Sequence, residues 1–374
     1  MKLLISTPLY PPDIGGPATY AHTLETELPK RGIEVSLLKF GDVRHLPKGI
    51  AHVAYAIKLF RALSDIDMII ALDVASVGFP TALVAMLRGR KFVVKIVGDY
   101  AWEQGQQRFG IKVNLNEFVA MPSRLFSWEV GLLRMVQTFV ARRAVKVVVP
   151  SKYLKGIVTA WGIPPEKITV IYNAFDGVGA LSPKVSVRKE LGLSGVVIIS
   201  AGRLVPWKGF HTLIDVVSGL RGEIPDCRLY IAGDGPDAPL LRAYIHEHNL
   251  VGTVVMLGDT PHDVLMKYIR GADTFVLNTG YEGLSHLLLE VLAIGTPIVT
   301  TSVGGNVELI TDGENGTLVP FNDADALVRA LIATLGDTGK AELMTKRGTA
   351  FVAQFSVNRM IEETTKLLKS LSST

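Results

Sequence analysis

The sequence contains a single cysteine, Cys227, among 374 residues. One cysteine excludes an intramolecular disulfide and a metal cluster built from cysteines, and it fits a reducing compartment. Charged residues make up only 20% of the chain, whereas hydrophobic residues make up 48%. This balance is typical of a packed globular enzyme and excludes a disordered chain.

Long apolar runs that would cross a membrane are also lacking. The best candidate, residues 68–87, contains Asp73, Gly78 and Pro80. It divides better into a strand, a loop and a helix. The first twelve residues hold too short an apolar run for a signal peptide. We therefore expect a cytoplasmic protein.

Positive charge is concentrated in the first half of the chain. Residues 1–175 contain 22 Lys+Arg and 13 Asp+Glu, whereas residues 176–374 contain 17 and 22, so the halves carry about +9 and −5. A basic half favours an anionic partner such as a membrane surface or a phosphorylated acceptor, although a solvated basic face gives the same count. Nucleic acid is not expected, since no binding module and no basic run with interleaved aromatics is present.

Short apolar runs alternate with longer amphipathic segments in both halves of the chain. This rhythm predicts βαβ units and parallel sheets. We therefore expect an α/β protein with two doubly wound, Rossmann-like domains that face one another across a ligand-binding cleft. The runs that predict strands are residues 2–6, 34–38, 68–72, 92–97, 145–149 and 167–172, then 196–201, 227–232, 253–257, 274–278 and 297–301.

Small and turn-forming residues interrupt this rhythm near residues 174–186, which predicts an interdomain linker. We expect a first domain over residues 1–175, a linker over 176–194 and a second domain over 195–355. The last segment is helical from about Gly339, with a break at Phe355 or Ser356. Its final helix, residues 356–374, is expected to pack back on the first domain.

Two loops have residues suited to binding a phosphorylated ligand. Gly15 and Gly16 follow the first strand and precede Pro17, which suits the first turn of a helix whose N-terminus approaches a phosphate. Arg203 and Lys208 follow the strand over 196–201, at the end of the sheet where such folds bind ligands. The alternatives are a simple tight turn for the glycines and two solvated cations for the second loop.

The segment EGLSHLLLE places Glu282 and Glu290 at the two ends of an otherwise apolar stretch. If the segment is helical, the two residues are separated by about 12 Å along the axis and by about 80° around it. A helix that is apolar on most sides is normally buried, and a buried carboxylate needs a partner. The partner is either another protein group or a polar ligand along the segment.

Three further patterns have competing interpretations. AGDGPDA at 232–238 matches a dinucleotide-binding motif, with Asp259 as a ribose acid, but Pro236 lies within it and it is not in the first βα unit of its domain. DID at 65–67 and DAD at 323–325 resemble metal-binding acids, yet Asp also opens strands and caps helices. No metal site is therefore predicted.

The ordered set of motifs resembles retaining glycosyltransferases of family 4, which have the GT-B fold. The resemblance covers essentially the whole chain. The first half contributes the glycine turn and VVPSKYL…ITVIYNAFD, with Ala174 where a glycine is commoner. The most specific part lies between residues 196 and 320, in GRLVPWKG, AGDGP, EGLSHLLLE, AIGTPIV, SVGGNVELI and DGENGTLV.

The resemblance implies a role for most of these residues. Glu290 would accept hydrogen bonds from the donor's ribose, and Arg203 and Lys208 would neutralise the leaving diphosphate without a metal ion or other cofactor. Glu282 would face the donor sugar and diphosphate. Backbone N–H groups would bind the same part of the donor at a helix N-terminus, namely those of Gly283, Leu284 and Ser285.

One position departs from the family pattern. Gly98 occupies the place of a histidine that family members commonly have near the reacting sugar, and Asp99 follows it. Asp99 either orients the acceptor hydroxyl or donor sugar, or caps the following turn. Tyr100, Trp102 and Glu103 beside it suit sugar stacking and hydroxyl binding.

The expected activity is transfer of a sugar from a nucleotide-diphosphate sugar to a glycan, lipid-linked or small-molecule hydroxyl in cell envelope polysaccharide synthesis. Retention in this family is explained by front-face attack, in which a donor phosphate oxygen takes the acceptor's proton. The alternatives are a non-catalytic nucleotide-sugar-binding protein and an NAD-dependent oxidoreductase. Peripheral contact with the inner face of a membrane is a further expectation for the amphipathic stretch 124–143, which a packed helix explains equally well.

Overall fold

The computed structural model describes residues 1–13, 15–175, 177 and 179–372, with only the backbone of Lys48. The chain forms two compact units. Unit 1 consists of residues 1–174 together with the C-terminal segment from Phe355 onwards, and unit 2 consists of residues 175–354.

A six-stranded parallel sheet forms the centre of unit 1, with strand order β2-β1-β3-β4-β5-β6. The chain moves from β1 to one edge and then returns to build the other side, so the sheet is doubly wound. The strands are β1 (Lys2–Thr7), β2 (Glu34–Lys39), β3 (Met68–Ala71), β4 (Lys91–Lys95), β5 (Lys146–Val149) and β6 (Ile168–Val170).

Helices connect the strands of unit 1. Capping side chains fix several of their starts: the Ser151 hydroxyl accepts a 3.1 Å hydrogen bond from the N–H of Leu154, and the side chain of Asn114 accepts one from Glu117. The helices are α1 (Gly16–Glu27), α2 (Lys48–Ala62), α3 (Gly78–Leu87), α4 (Tyr100–Arg108), α5 (Leu115–Ala120), α6 (Trp128–Arg143) and α7 (Lys152–Ala160).

Unit 2 has a second six-stranded parallel sheet, with strand order β12-β11-β10-β7-β8-β9. Its core includes Leu213 and Leu331 from two helices and Leu229 from the sheet, all fully buried. The elements are α8 (Lys184–Leu191), β7 (Val196–Ala201), α9 (Phe210–Leu220), β8 (Cys227–Ala232), α10 (Ala238–Glu247), β9 (Val254–Gly258), α11 (His262–Gly271), β10 (Thr274–Leu277), α12 (His286–Ile294), β11 (Ile298–Thr301), β12 (Thr317–Val319), α13 (Ala324–Gly336) and α14 (Thr338–Val352).

The expected linker over 176–194 is not a simple linker, because helix α8 lies within it and belongs to unit 2. Lys184 and Arg188 of this helix form ion pairs with Asp273 at 2.7 and 3.0 Å. Its only buried residue is Val187, so the sequence carries almost no apolar periodicity there. Asp176 and Val178, inside the expected linker, lie outside the described residues.

The last helix, α15 (Val357–Ser372), packs in unit 1. Met360, Ile361 and Leu368 lie in the same buried cluster as Leu24 of α1. A short 3-10 turn at Ala353–Phe355 separates it from α14. Residues 373 and 374, the end of the expected helix, lie outside the described residues.

Each apolar run that predicts a strand contains one, whereas the three-residue strand β12 was not predicted. The stretch 68–87 divides as expected into β3, a loop and α3. Over the residues that the structure describes, no helix has the length and apolar character needed to cross a bilayer.

We expect Ile361→Ala to destabilise unit 1 by about 2–5 kcal/mol, because truncation of a fully buried isoleucine loses apolar burial and leaves a cavity. The side chain is 1% exposed. Urea denaturation followed by circular dichroism measures the change, and Lys366→Ala, an exposed position on the same helix, is the control. Equal midpoints for the two variants would show that α15 contributes little to the unit.

Candidate functional site

The candidate site lies at the carboxyl ends of β10, β7 and β8, three neighbouring strands of unit 2. The chain leaves β7 towards one edge of the sheet and returns to β10 on its other side, so the order reverses between these two strands. Doubly wound sheets bind ligands at this switch point. The loop over 202–209 follows β7 and the loop over 278–285 follows β10.

Lys208 and Glu282 meet at this switch point. The Lys208 Nζ donates to Glu282 Oε1. The two side chains are only 13% and 18% exposed. A charge in such a place is costly without a partner, so the ion pair offsets the cost of shielding both groups and orients each side chain. The structure therefore joins two residues that the sequence placed on separate motifs.

Hydrogen bonds hold the two loops together. The Gly280 N–H donates to the Trp207 carbonyl at 2.7 Å, and the Asn278 side chain donates to the Gly209 carbonyl at 2.9 Å. Thr279 Oγ1 donates to the same Trp207 carbonyl at 3.2 Å. Lys208, which lies between Trp207 and Gly209, is thereby fixed relative to the loop that carries Glu282.

The glycines of AGDGPDA have a packing role in this structure. A Cβ on Gly233 would lie 2.0 Å from the Gly202 carbonyl oxygen, and a Cβ on Gly235 would lie 2.3 Å from the Leu204 oxygen. The absence of side chains lets the loops after β7 and β8 touch through their backbones. This contact accounts for the glycines without a dinucleotide cofactor.

Two further glycines, in the SVGGN motif, support Glu282 from the other side. The Gly305 N–H donates to the Glu282 carbonyl at 2.8 Å. A Cβ on Gly304 would lie 2.2 Å from that carbonyl oxygen, so only glycine permits this approach. The motif is recognisable in the sequence, but this role of the two glycines is evident only from the structure.

The segment 282–290 is helical only from His286, where α12 begins. Ser285 is its N-cap, and the Ser285 hydroxyl accepts a hydrogen bond from Leu288 at 3.3 Å. A serine directly before an apolar run is an N-cap signal that would have identified this boundary. Glu282 therefore lies in the loop before the helix.

The residues between Glu282 and the helix form a potential anion site. Gly283, Leu284 and Ser285 are buried. Within the described part of the chain, their backbone N–H groups donate to no acceptor. Together with the positive end of the α12 dipole, such groups favour a phosphate.

Glu290 lies in the second turn of α12. Its Oε1 is 2.8 Å from His262 Nε2, and its side chain is 20% exposed. Burial raises the pKa of the Glu290 carboxyl above its usual value. His262 was not predicted as a site residue, because nothing in DTPHD indicates that it meets a carboxylate 28 positions later.

Arg203 lies at the start of the loop after β7, with an exposed side chain. Gly15 and Gly16 lie in unit 1, at the N-terminus of α1. Gly15 is the N-cap with φ 149°, which favours glycine. A Cβ on Gly16 would meet nothing within 4 Å, so packing does not require glycine there.

Asp99 is the N-cap of α4, which is the second of the two roles that the sequence allowed. Its Oδ1 accepts from the Trp102 N–H at 2.9 Å and from Gln137 at 3.0 Å, and its Oδ2 accepts from Trp161 Nε1 at 2.9 Å. The residue is 0% exposed, and burial raises the pKa of its carboxyl. Neither oxygen is accessible to an acceptor, so the acceptor-orienting role is not retained.

Among the residues beside Asp99, Trp102 differs from the expectation. Trp102 is 1% exposed and its Nε1 donates to the Val113 carbonyl at 2.9 Å, so it is a core residue and not a stacking platform. Tyr100 and Glu103 instead line a cavity of about 80 Å³, together with Asp73 and Lys95.

The two acidic pairs have structural roles. Asp67 accepts a hydrogen bond from the backbone of Lys2 at 2.7 Å, and Asp65 pairs with the Lys2 ammonium. Asp323 caps α13 by accepting from the Ala326 N–H at 2.9 Å. Asp67 and Asp323 thus fix the start of a strand and of a helix, as expected from the tendencies of aspartate.

Comparison with known proteins identifies two families along the chain. Residues 186–351 match the model described as "Glycosyl transferases group 1". Residues 38–174 match the model described as "Glycosyl transferase 4-like domain". The first match contains Arg203, Lys208, Glu282 and Glu290, and the two matches cover most of both units.

Individual relatives are also glycosyltransferases. The lipopolysaccharide core biosynthesis glycosyltransferase LpsE of Rhizobium meliloti is 32% identical over 205 residues, which cover 54% of this chain and 58% of LpsE. This chain thus matches little more than half the length of LpsE. An uncharacterized glycosyltransferase of Methanocaldococcus jannaschii is 25% identical over 99% of this chain and 98% of its own.

Among solved structures, Anabaena HepE in complex with UDP-glucose superimposes with a TM-score of 0.78 at 21% identity. It covers 99% of this chain and 100% of HepE. That likeness establishes the fold, which is GT-B with two Rossmann-like units. Because the two family matches together cover most of the chain, it belongs to the glycosyltransferases of the group 1 and 4-like type.

Proposed function

We propose that this glycosyltransferase moves a sugar from a nucleotide-diphosphate sugar to an acceptor hydroxyl, with retention of configuration and without a metal ion or other cofactor. The observation that carries this proposal is the ion pair between Lys208 and Glu282 beside the N-terminus of α12. It combines a fixed cation with backbone donors at the switch point of a doubly wound sheet.

Lys208 is suited to a diphosphate because an ammonium group has three protons. Glu282 accepts one of them, which leaves the others for the oxygens of a donor diphosphate. Arg203, exposed on the same loop, supplies a second cation. Positive charge held in place before the reaction stabilises the negative charge that develops on the leaving group.

In the proposed reaction, the bond between the sugar's anomeric carbon and the donor diphosphate breaks, and the acceptor oxygen bonds to that carbon on the same face. The acceptor's proton passes to a diphosphate oxygen, and the nucleoside diphosphate leaves. The N–H groups of Gly283, Leu284 and Ser285 would hold the diphosphate during this step. Glu290, deeper along α12, would accept hydrogen bonds from the ribose hydroxyls.

The names of related proteins direct the choice of substrates. HepE is solved with UDP and with UDP-glucose, so UDP-sugars are the first donors to test. LpsE is named for lipopolysaccharide core synthesis, which supports a cell envelope glycan or a lipid-linked sugar as the acceptor. We propose that the reaction takes place in the cytoplasm.

We expect Lys208→Ala and Arg203→Ala each to lower turnover about 100-fold or more, because each removes a charge that stabilises the leaving diphosphate. Release of nucleoside diphosphate from the donor measures turnover. Arg221→Ala, an exposed cation of unit 2 away from these loops, is the control, and melting temperatures report folding. Near-normal turnover in both site variants would refute the assignment.

Glu290→Gln should weaken binding of the free nucleoside diphosphate roughly 10- to 100-fold, since a hydrogen bond to a charged group contributes about 1.5–3 kcal/mol. His262→Ala is the informative comparison. If the Glu290 carboxylate binds the ribose directly, Glu290→Gln should bind the nucleoside diphosphate clearly more weakly than His262→Ala does. Equal affinity of Glu290→Gln and wild type in titration calorimetry would leave Glu290 with a structural role only.

Transfer should proceed at an unchanged rate in EDTA, because protein cations are proposed to neutralise the diphosphate. The measurement is the initial rate before and after chelation, with and without added Mg²⁺. Loss of activity in EDTA, restored by the cation, would contradict the metal-independent mechanism while leaving the donor site in place.

A further inference from the structure

Exposed apolar side chains are concentrated on one part of unit 1. Of the 17 large apolar side chains that are exposed among the described residues, 11 lie on α2, α3 or the segment 123–143 that contains α6. We call these 11 residues the apolar face: Ile50, Val53, Ile57, Phe60, Leu83, Met86, Leu87, Leu125, Trp128, Leu132 and Met135.

The spacing on α2 shows that this exposure is organised. Its four apolar-face residues recur at intervals of three or four and form one stripe along the helix. The opposite side of α2 has its own stripe, in which Ala51, Tyr55 and Leu59 are buried in the unit. The exposed apolar stripe of α2 is therefore not required for the packing of this helix in unit 1.

The three helices form a continuous surface, because α3 packs against both α2 and α6. The rings of Phe79 on α3 and Phe139 on α6 are 6.1 Å apart. At the end of α3, the Arg88 guanidinium lies 3.8 Å from the centre of the Phe60 ring on α2.

The same segments are strongly basic. Residues 48–62, 78–90 and 123–143 contain nine Lys+Arg and a single acid, Glu129. Five exposed arginines form no ion pair with any residue that the structure describes. Three of them directly adjoin an apolar-face residue in sequence. The five are Arg61, Arg88, Arg124, Arg142 and Arg143.

We propose that the apolar face binds peripherally to the surface of an anionic lipid bilayer. Apolar side chains enter the boundary between headgroups and acyl chains, and the arginines contact lipid phosphates. Trp128, which is 75% exposed, suits this boundary because its ring is apolar with one polar N–H. Unpaired basic charge around exposed apolar groups complements an anionic surface.

This inference is independent of the proposed reaction, since vesicle binding requires neither donor nor turnover. The test is co-sedimentation of the full chain with vesicles of phosphatidylcholine alone or mixed with phosphatidylglycerol. One variant, Trp128→Glu/Leu132→Glu, removes the apolar contribution. Its control is Leu343→Glu, since Leu343 is 50% exposed and lies in unit 2.

A second variant, Arg124→Gln/Arg142→Gln/Arg143→Gln, removes three charges. Lys340→Gln/Lys346→Gln/Arg347→Gln on α14 makes the same change in exposed residues of unit 2. Each basic residue near an anionic surface contributes a factor of about five. We therefore expect roughly 100-fold weaker partitioning for the first triple variant and little change for the second.

Binding that requires phosphatidylglycerol, weakens in high salt and is impaired both in Trp128→Glu/Leu132→Glu and in the triple arginine variant would support the proposal. It would be overturned if the wild-type chain ignored anionic vesicles, or if the unit 2 controls lost binding equally. A dimer in light scattering that Trp128→Glu/Leu132→Glu dissociates, without vesicle binding, would instead make the face a contact between copies of the chain.

Discussion

The site of unit 2 depends on one ion pair, between Lys208 and Glu282. A lone charge in such a shielded place is costly, so each side chain offsets that cost for the other and fixes its direction. Their loops follow β7 and β10, strands that are adjacent in the sheet but far apart in sequence. The parallel sheet brings the two loops together, and the ion pair fixes the position of the Lys208 ammonium.

Glu282 and Glu290, at the two ends of EGLSHLLLE, are both shielded from solvent but have different partners. Glu282 accepts a hydrogen bond from the Lys208 ammonium. Glu290 lies near His262, whose side chain is 65% exposed. Burial raises the pKa of the Glu290 carboxyl. The contact with Lys208 fixes the position of Glu282, whereas Glu290 can accept further hydrogen bonds.

Much of the fold follows from the sequence, because strands of a covered parallel sheet are buried on both sides and form continuous apolar runs. Elements without that signal were missed: β12 has three residues, and α8 buries only Val187 and forms ion pairs with Asp273. The site residues of unit 2 were found through motif order. The contacts of these residues could not be predicted from the sequence, because pairings such as Glu290 with His262 arise only from the packing of α11 against α12. Asp99 shows the limit most clearly, because one residue type serves equally as a cap or as a site group.

The close backbone contacts around the site also restrict how this protein can diverge. Any side chain at Gly233, Gly235, Gly304 or Gly305 would overlap a neighbouring carbonyl oxygen. The inner boundary of the site is therefore made of main chain and cannot be reshaped by single substitutions. Under the proposed function, a change in donor preference must come from other side chains of the site. A variant library directed at these four glycines would yield misfolded proteins before it yielded altered specificity.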